Sequence, residues 1–293
     1  MKIRLFLMSW LVMQSAAAAT IKDDAGHVIT LPQAAQRVVS LAPHATELLF
    51  AAGGGDHVVG VVSHSDFPDA AKRIPVIGDS RQIDIERLLA LKPDLLVVWL
   101  HGSSARQLDQ LQRLGIPLFY SEPHKLDEIP EAVVRLGQLL GTESIAAKRA
   151  AKLRQTLAAL KARYQGRPIV RVFYQVWNKP LYTLNGRHID SDAIRLCGGE
   201  NIFDRLATTA PIVNIESVLQ ENPEAIVTGF NLKQSETGLA GWESYPALLA
   251  VKNKNLFAID ADLLNRAGPR LIEGAAMLCD KLELARKHRS ATP

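Results

Sequence analysis

Cysteine is scarce in this chain: across 293 residues there are two, Cys197 and Cys279. A single widely spaced pair excludes a CxxC redox motif and the four-ligand zinc motifs. A GxSxG nucleophile elbow, an HExxH helix and a Gly-rich strand-to-helix turn followed by Lys, Ser or Thr are missing as well. No paired carboxylates fall in a recognisable acid/base motif, so the sequence reads as a binding protein and not as an enzyme. A formal net charge of +4 is too small for a nucleic-acid footprint.

Long apolar runs are also missing. The run Leu5–Val12, preceded by Lys2 and Arg4 and followed by Ser15 and Ala16–Ala19, is too short to span a membrane. Charged start, apolar middle and small residues make residues 1–19 a secretory signal peptide with cleavage after Ala19. Its removal lowers the net charge by two. No cysteine stands at the cleavage site to carry a lipid, so the expected product is soluble, exported and without membrane insertion. In an exported chain two cysteines suggest one disulfide closing a long loop, with two buried thiols as the alternative.

What is present is a repeat. The stretch IDIERLLALKPDLLVV (Ile83–Val98) returns as VNIESVLQENPEAIV from Val213. In each copy an Asx (Asp84, Asn214) precedes Glu86 or Glu216 by two residues, a short apolar helix follows, and Pro93 or Pro223 leads into a strand. An Asx cap, an acid in the first turn and X-Pro at the end explain the helix by themselves. Repetition adds a second reading: matched exposed carboxylates at equivalent places on two lobes.

Around the copies, strand and helix alternate, which predicts parallel sheets covered by helices. Arg37–Pro43 reads as a strand, followed by a helix through Glu47. RVFYQVW (Arg171–Trp177) answers it after position 166, and Gly198–Gly199 stand where Gly53–Gly54 stood. Between the halves runs Glu143–Tyr164, free of Gly and Pro, with Ile145, Leu153, Leu157 and Leu160 near helical spacing. The fold class is therefore α/β, with two Rossmann-like lobes of mostly parallel sheet joined by one long backbone α-helix. The expected boundaries are 20–141 for the N-terminal lobe, 142–166 for the linking helix and 167–293 for the C-terminal lobe.

The phrases SLAPHATELLFAAG, GVVSHSDFP, IERLLALKPDLLVVW, LCGGENIF and NRAGPRL, spread from Arg37 to Leu284, give the chain a specific resemblance. It resembles the periplasmic binding proteins of ABC importers whose lobes are bridged by a single helix, a class that takes up cobalamin, siderophore-bound iron and haem. Within that class the cobalamin branch is the most similar. The resemblance implies a monomer in the periplasm that holds a corrinoid such as cobalamin (vitamin B12) between its lobes, as transported ligand and not as cofactor. It would deliver that ligand to the dimer of membrane subunits of an ABC transporter. A haem or ferric-siderophore carrier of the same class is the alternative.

The same resemblance places the docking carboxylates on Glu86 and Glu216 and the disulfide on Cys197 and Cys279. It places ligand contacts on His64, Trp99, Trp177 and the segment Asp262, Leu263, Leu264, Asn265 and Arg266. Two tryptophans of the branch are replaced by Ser80 and Ala210. Asp262 and Arg266 have a second reading as a local salt bridge. His44, His64 and His101 have one as a metal site, although their spacing fits no short ligand motif. Trp242 reads as packing.

Overall fold

A computed structural model describes residues 19–79, 82–230 and 238–290. Of the expected signal peptide, residues 1–19, only Ala19 is among them; the other 18 residues and the position of Ser80 lie outside. Each half of the chain builds one four-stranded parallel sheet. The first contains Val38–Ser40, Val58–Val61, Leu95–Val98 and Leu118–Tyr120; the second contains Val170–Gln175, Gly199–Asn201, Ala225–Phe230 and Leu256–Asp260. In both, the first strand in the chain lies between the second and third, and the fourth lies outside the third. Equal order in the two halves is the structural form of the repeat seen in the sequence.

The strands are Val- and Leu-rich because both faces are covered. Leu95, Leu96, Val97 and Val98 are all fully buried, with Leu95 and Val97 in one apolar cluster and Leu96 and Val98 in the other. A strand buried on both faces reads as a continuous apolar run. Two antiparallel pairs were not expected from the sequence: Ala19–Lys22 with Val28–Leu31, and the short Trp177–Asn178 with Leu181–Tyr182.

The linking helix runs from Glu143 to Tyr164, 22 residues and roughly 33 Å at 1.5 Å per residue. It packs on the helix Glu128–Leu140 through its smallest residues. A Cβ on Gly137 would lie 2.3 Å from the Cβ of Ala146, so the two backbones approach too closely for any side chain there. Its buried stripe is Ala146, Ala150, Leu157 and Tyr164. Ile145, which the spacing assigned to that stripe, is instead 55% exposed because the close helix contact selects alanine. At its far end the Tyr164 hydroxyl donates to Asp280 on the closing helix Leu271–Ser290, at 2.8 Å.

Cys197 and Cys279 form a disulfide across 82 positions, joining the end of helix Ile189–Leu196 to the closing helix. Both are fully buried. Replacing both by serine is expected to lower stability by about 2–4 kcal/mol, since the bridge restrains a long loop in the unfolded chain. Urea unfolding of the double variant measures this; a change below about 1 kcal/mol would show that helix packing alone holds that half together.

Candidate functional site: a cavity between the two sheets

In an open α/β sheet the loops leaving the carboxyl ends of the strands converge on a crevice. Here two such edges face each other. From the first sheet, Pro43 and His44 follow strand Val38–Ser40, His64 follows Val58–Val61, Trp99 follows Leu95–Val98, and Glu122 follows Leu118–Tyr120. The second half contributes Arg187, His188, Thr209, Ala210 and the segment after strand Leu256–Asp260. Together they enclose a cavity of about 1230 Å³. Pockets for ordinary small ligands occupy about 300–1,000 Å³, so this one suits a larger molecule.

Of the residues expected from the sequence, His64, Trp99, Asp262, Leu264, Asn265 and Arg266 line the cavity together. Leu263 and Trp177 do not. Trp177 sits on the small antiparallel pair, 54% exposed, with its Nε1 donating to the Lys179 carbonyl. Trp242 is 4% exposed and donates from Nε1 to Gln175 Oε1 at 2.7 Å, which makes it a core residue. Histidine is the unexpected component of the wall: His124 and His188 join His44, His64 and His101.

Among the described residues no group of three or more His, Cys, Asp or Glu is arranged to hold an ion. His44 is buried, its Nε2–H donates to the Ser121 carbonyl at 3.2 Å, and its ring meets Trp99 edge-on with centroids 5.5 Å apart. It therefore fixes the tryptophan that forms one wall. Burial holds its pKa below the ordinary 6.5, against the opposing pull of the Ser121 carbonyl, Glu122 and Asp24.

The sign of that shift gives a prediction. Below about pH 6.5 the unfolded chain protonates His44 and the folded chain does not, so this residue makes stability fall as the pH falls. His44→Gln is expected to flatten the stability curve between about pH 5 and 6.5, by at most ~1.4 kcal/mol per pH unit. Melting temperature against pH for the two proteins checks this; parallel curves would mean that His44 is protonated in the fold.

Asp262 and Arg266 tie the cavity wall to an ionic network behind it. Arg266 contacts three carboxylates: Nη2 reaches Asp262 at 2.8 Å, while Nη1 reaches Asp66 at 2.8 Å and Glu47 at 3.3 Å. Arg270 binds Glu47 with two donors, Nη2 at 2.7 Å and Nε at 3.1 Å, and its guanidinium lies 4.1 Å from the Phe67 ring centroid. Glu47 and Asp66 belong to the first half of the chain, and Arg266 and Arg270 to the second. Burial alone would raise the Asp66 carboxyl, but the hydrogen bond and charge of Arg266, with Arg270 behind it, hold it below its usual value. Burial alone would lower Arg270, but the hydrogen bonds and charge of Glu47, with the charges of Asp262 and Asp66, raise it.

On the outer surface the two repeat copies are equivalent. Asp84 accepts from the Arg87 backbone N–H at 3.0 Å and Asn214 from that of Ser217 at 2.8 Å. They cap helices Ile85–Ala90 and Ile215–Glu221. Glu86 and Glu216, the second residue of each helix, are exposed. No helix among the described residues is long and apolar enough to cross a membrane.

Comparison with known proteins locates this architecture. Residues 38–263 match a family model described as periplasmic binding protein. The chain is 39% identical over 256 residues to a vitamin B12-binding protein of Yersinia pestis (strain Pestoides F), covering 87% of the chain and 89% of the relative. It superposes on the crystal structure of the periplasmic vitamin B12 binding protein BtuF of Vibrio cholerae with a TM-score of 0.80 and 37% identity. That match covers 86% of this chain and 98% of the other. A periplasmic heme-binding protein from Pseudomonas aeruginosa superposes with a TM-score of 0.72 at 25% identity, over 84% and 91% of the two chains.

Proposed function

Because the chain belongs to the periplasmic binding protein family, we propose that it captures a corrinoid, cobalamin in the first place, in the cavity between its sheets and delivers it to an ABC importer. The observation that carries this reading is the cavity itself. It is oversized for an ordinary small ligand, it lies at the carboxyl edges of two parallel sheets, and its wall mixes Trp99 and Leu264 with hydrogen-bonding Asn265, His64 and Thr209. A bulky macrocycle fringed with amides is matched by such a wall. The names of the relatives at 39% and 37% identity support the same ligand. Capture without turnover is the role of such a cavity.

The remaining parts of the proposal follow from the same arrangement. Residues 1–19 direct export and are removed, so the protein acts in the periplasm; one chain carries both walls of the cavity, which suits a monomer. Residues 20–141 and 167–293 form the two lobes and 142–166 the helix that joins them. Asp262, Asn265 and Arg266 supply the polar contacts of the second lobe, and His64 and Trp99 those of the first. Glu86 and Glu216 meet the two copies of the importer's membrane subunit.

A haem carrier is the second reading, favoured by five histidines in one cavity wall. A ferric siderophore is less suited. Anionic iron complexes call for free cationic side chains; Arg266 and Arg195 are paired with carboxylates, which leaves Arg187 and Lys125 as the cations of the wall without an ion pair among the described residues, and Glu122, Glu128 and Asp262 stand in the same wall. Calorimetric titration of the mature protein with cyanocobalamin, cobinamide, haemin and a ferric siderophore distinguishes them. Tight binding of cyanocobalamin is the expected result; haemin binding with no corrinoid response would overturn the ligand assignment.

A further inference from the structure

The histidines of the cavity wall differ in what their rings already do. The His44 ring is committed to Ser121 and Trp99. His101 Nδ1 lies 3.1 Å from Glu122 Oε2, and His188 Nδ1 accepts from the Asp190 backbone N–H at 3.2 Å. His64 and His124 are both exposed to the cavity, and neither ring makes a hydrogen bond or ion pair among the described residues; of the two, His64 is the one set in a left-handed backbone.

The backbone beneath that free ring is fixed. His64 has φ of +66°, in the left-handed region that residues with a Cβ seldom occupy. Neighbours on both sides hold it there. The Ser63 N–H and hydroxyl both donate to the Gly78 carbonyl, at 2.8 and 3.1 Å, and the Ser65 N–H donates to the Val62 carbonyl. Asp66 is bound by Arg266, and Phe67 lies under Arg270. A strained residue kept in place from both sides, with its side chain left unengaged over a cavity, is arranged for a ligand. Pre-organisation of this kind lowers the cost of ordering the side chain on binding.

Of the groups that a corrinoid presents, the one that an unprotonated imidazole nitrogen binds best is the metal, since imidazole is a general ligand for transition ions. We propose that His64 is an axial ligand to the cobalt of corrinoids whose axial position holds only water. The inference rests on the corrinoid reading above and makes it specific. In the step, the lone pair of one ring nitrogen forms the N–Co bond and a water molecule leaves with its own electron pair. Neither cobalt nor protein changes oxidation state. The metal arrives with its carrier. Cyanocobalamin, with cyanide on one face and its own base on the other, offers no such position.

The test is visible spectroscopy and affinity for diaquocobinamide, with dicyanocobinamide as the blocked analogue. Wild type is expected to shift the absorption bands of diaquocobinamide to those of an imidazole adduct and to leave those of dicyanocobinamide as they are. His64→Ala should bind the diaquo form about tenfold or more weakly, a loss of ~1.4 kcal/mol, with no band shift. His64→Ala should keep the wild-type circular dichroism spectrum and still bind dicyanocobinamide, which a misfolded cavity would not allow. Binding of diaquocobinamide with an unshifted spectrum would overturn the ligation and leave the corrinoid reading in place. A shift lost in His124→Ala but kept in His64→Ala would also overturn it. Failure to bind any corrinoid would remove both.

Discussion

Glu47→Ala is expected to destabilise the protein by about 3–5 kcal/mol, the usual cost of removing one partner from a buried ion pair. The Glu47 side chain is 1% exposed and both of its oxygens are engaged by Arg270, with Arg266 on one of them. Without it Arg270, 17% exposed at its side chain, retains the face of Phe67 but no carboxylate. Arg266 keeps Asp66 and Asp262. Asp66→Ala should accordingly cost much less, about 1 kcal/mol or below, because Asp66 is 43% exposed and Arg266 has other partners. Since the network joins the two halves of the chain, Glu47→Ala should also loosen their coupling, so that unfolding followed at Trp99 and at Trp242 separates into two transitions. Coincident transitions with a loss under 1 kcal/mol would show that the linking helix alone sets the relation of the two sheets.

That network also marks the limit of what could be read from the sequence. Asp262 and Arg266, four residues apart, were legible as a pair, and the pair is formed. Their partners stand about 200 positions earlier, and no periodic pattern connects such distances. One signal was available: Glu47 is the only charge in the apolar helix Pro43–Ala51, and a lone acid on a covered helix calls for a cation. The helix Glu143–Tyr164 was legible to its end residues because nothing inside it competes with helix. Its buried face was not, since the choice of Ala146 over Ile145 depends on Gly137 of a different helix.

The site was legible to the extent that it lies at strand ends. His64 and Trp99 follow strands of the first sheet directly and reach the cavity. Trp177 also follows a strand, but the chain turns there into a two-residue antiparallel pair with Leu181–Tyr182, and the ring faces solvent. His188 escaped notice for the opposite reason. It caps helix Ile189–Leu196, and a capping residue gives no sign of which cavity its ring borders.

Reversing both exposed carboxylates, Glu86→Lys with Glu216→Lys, is expected to abolish ligand delivery to the importer while ligand affinity stays within about twofold of wild type. The two side chains occupy the same position of equivalent helices, and neither makes an ion pair or side-chain hydrogen bond among the described residues. Their local role is limited to a favourable charge in the first turn, worth about 0.3–1 kcal/mol each, so folding tolerates the change. A partner with two identical subunits presents the same cationic group twice, and a protein with two similar halves meets it with the same anionic group twice. Each reversal replaces attraction by repulsion across that contact, which costs several kcal/mol. Single reversals should therefore reduce docking by about 100-fold, and the pair should eliminate it. Transport into proteoliposomes and binding to the detergent-solubilised importer measure docking, and calorimetry with the ligand measures capture. Lost ligand binding in the double variant would make the carboxylates structural; undiminished transport would place the docking surface elsewhere on the lobes.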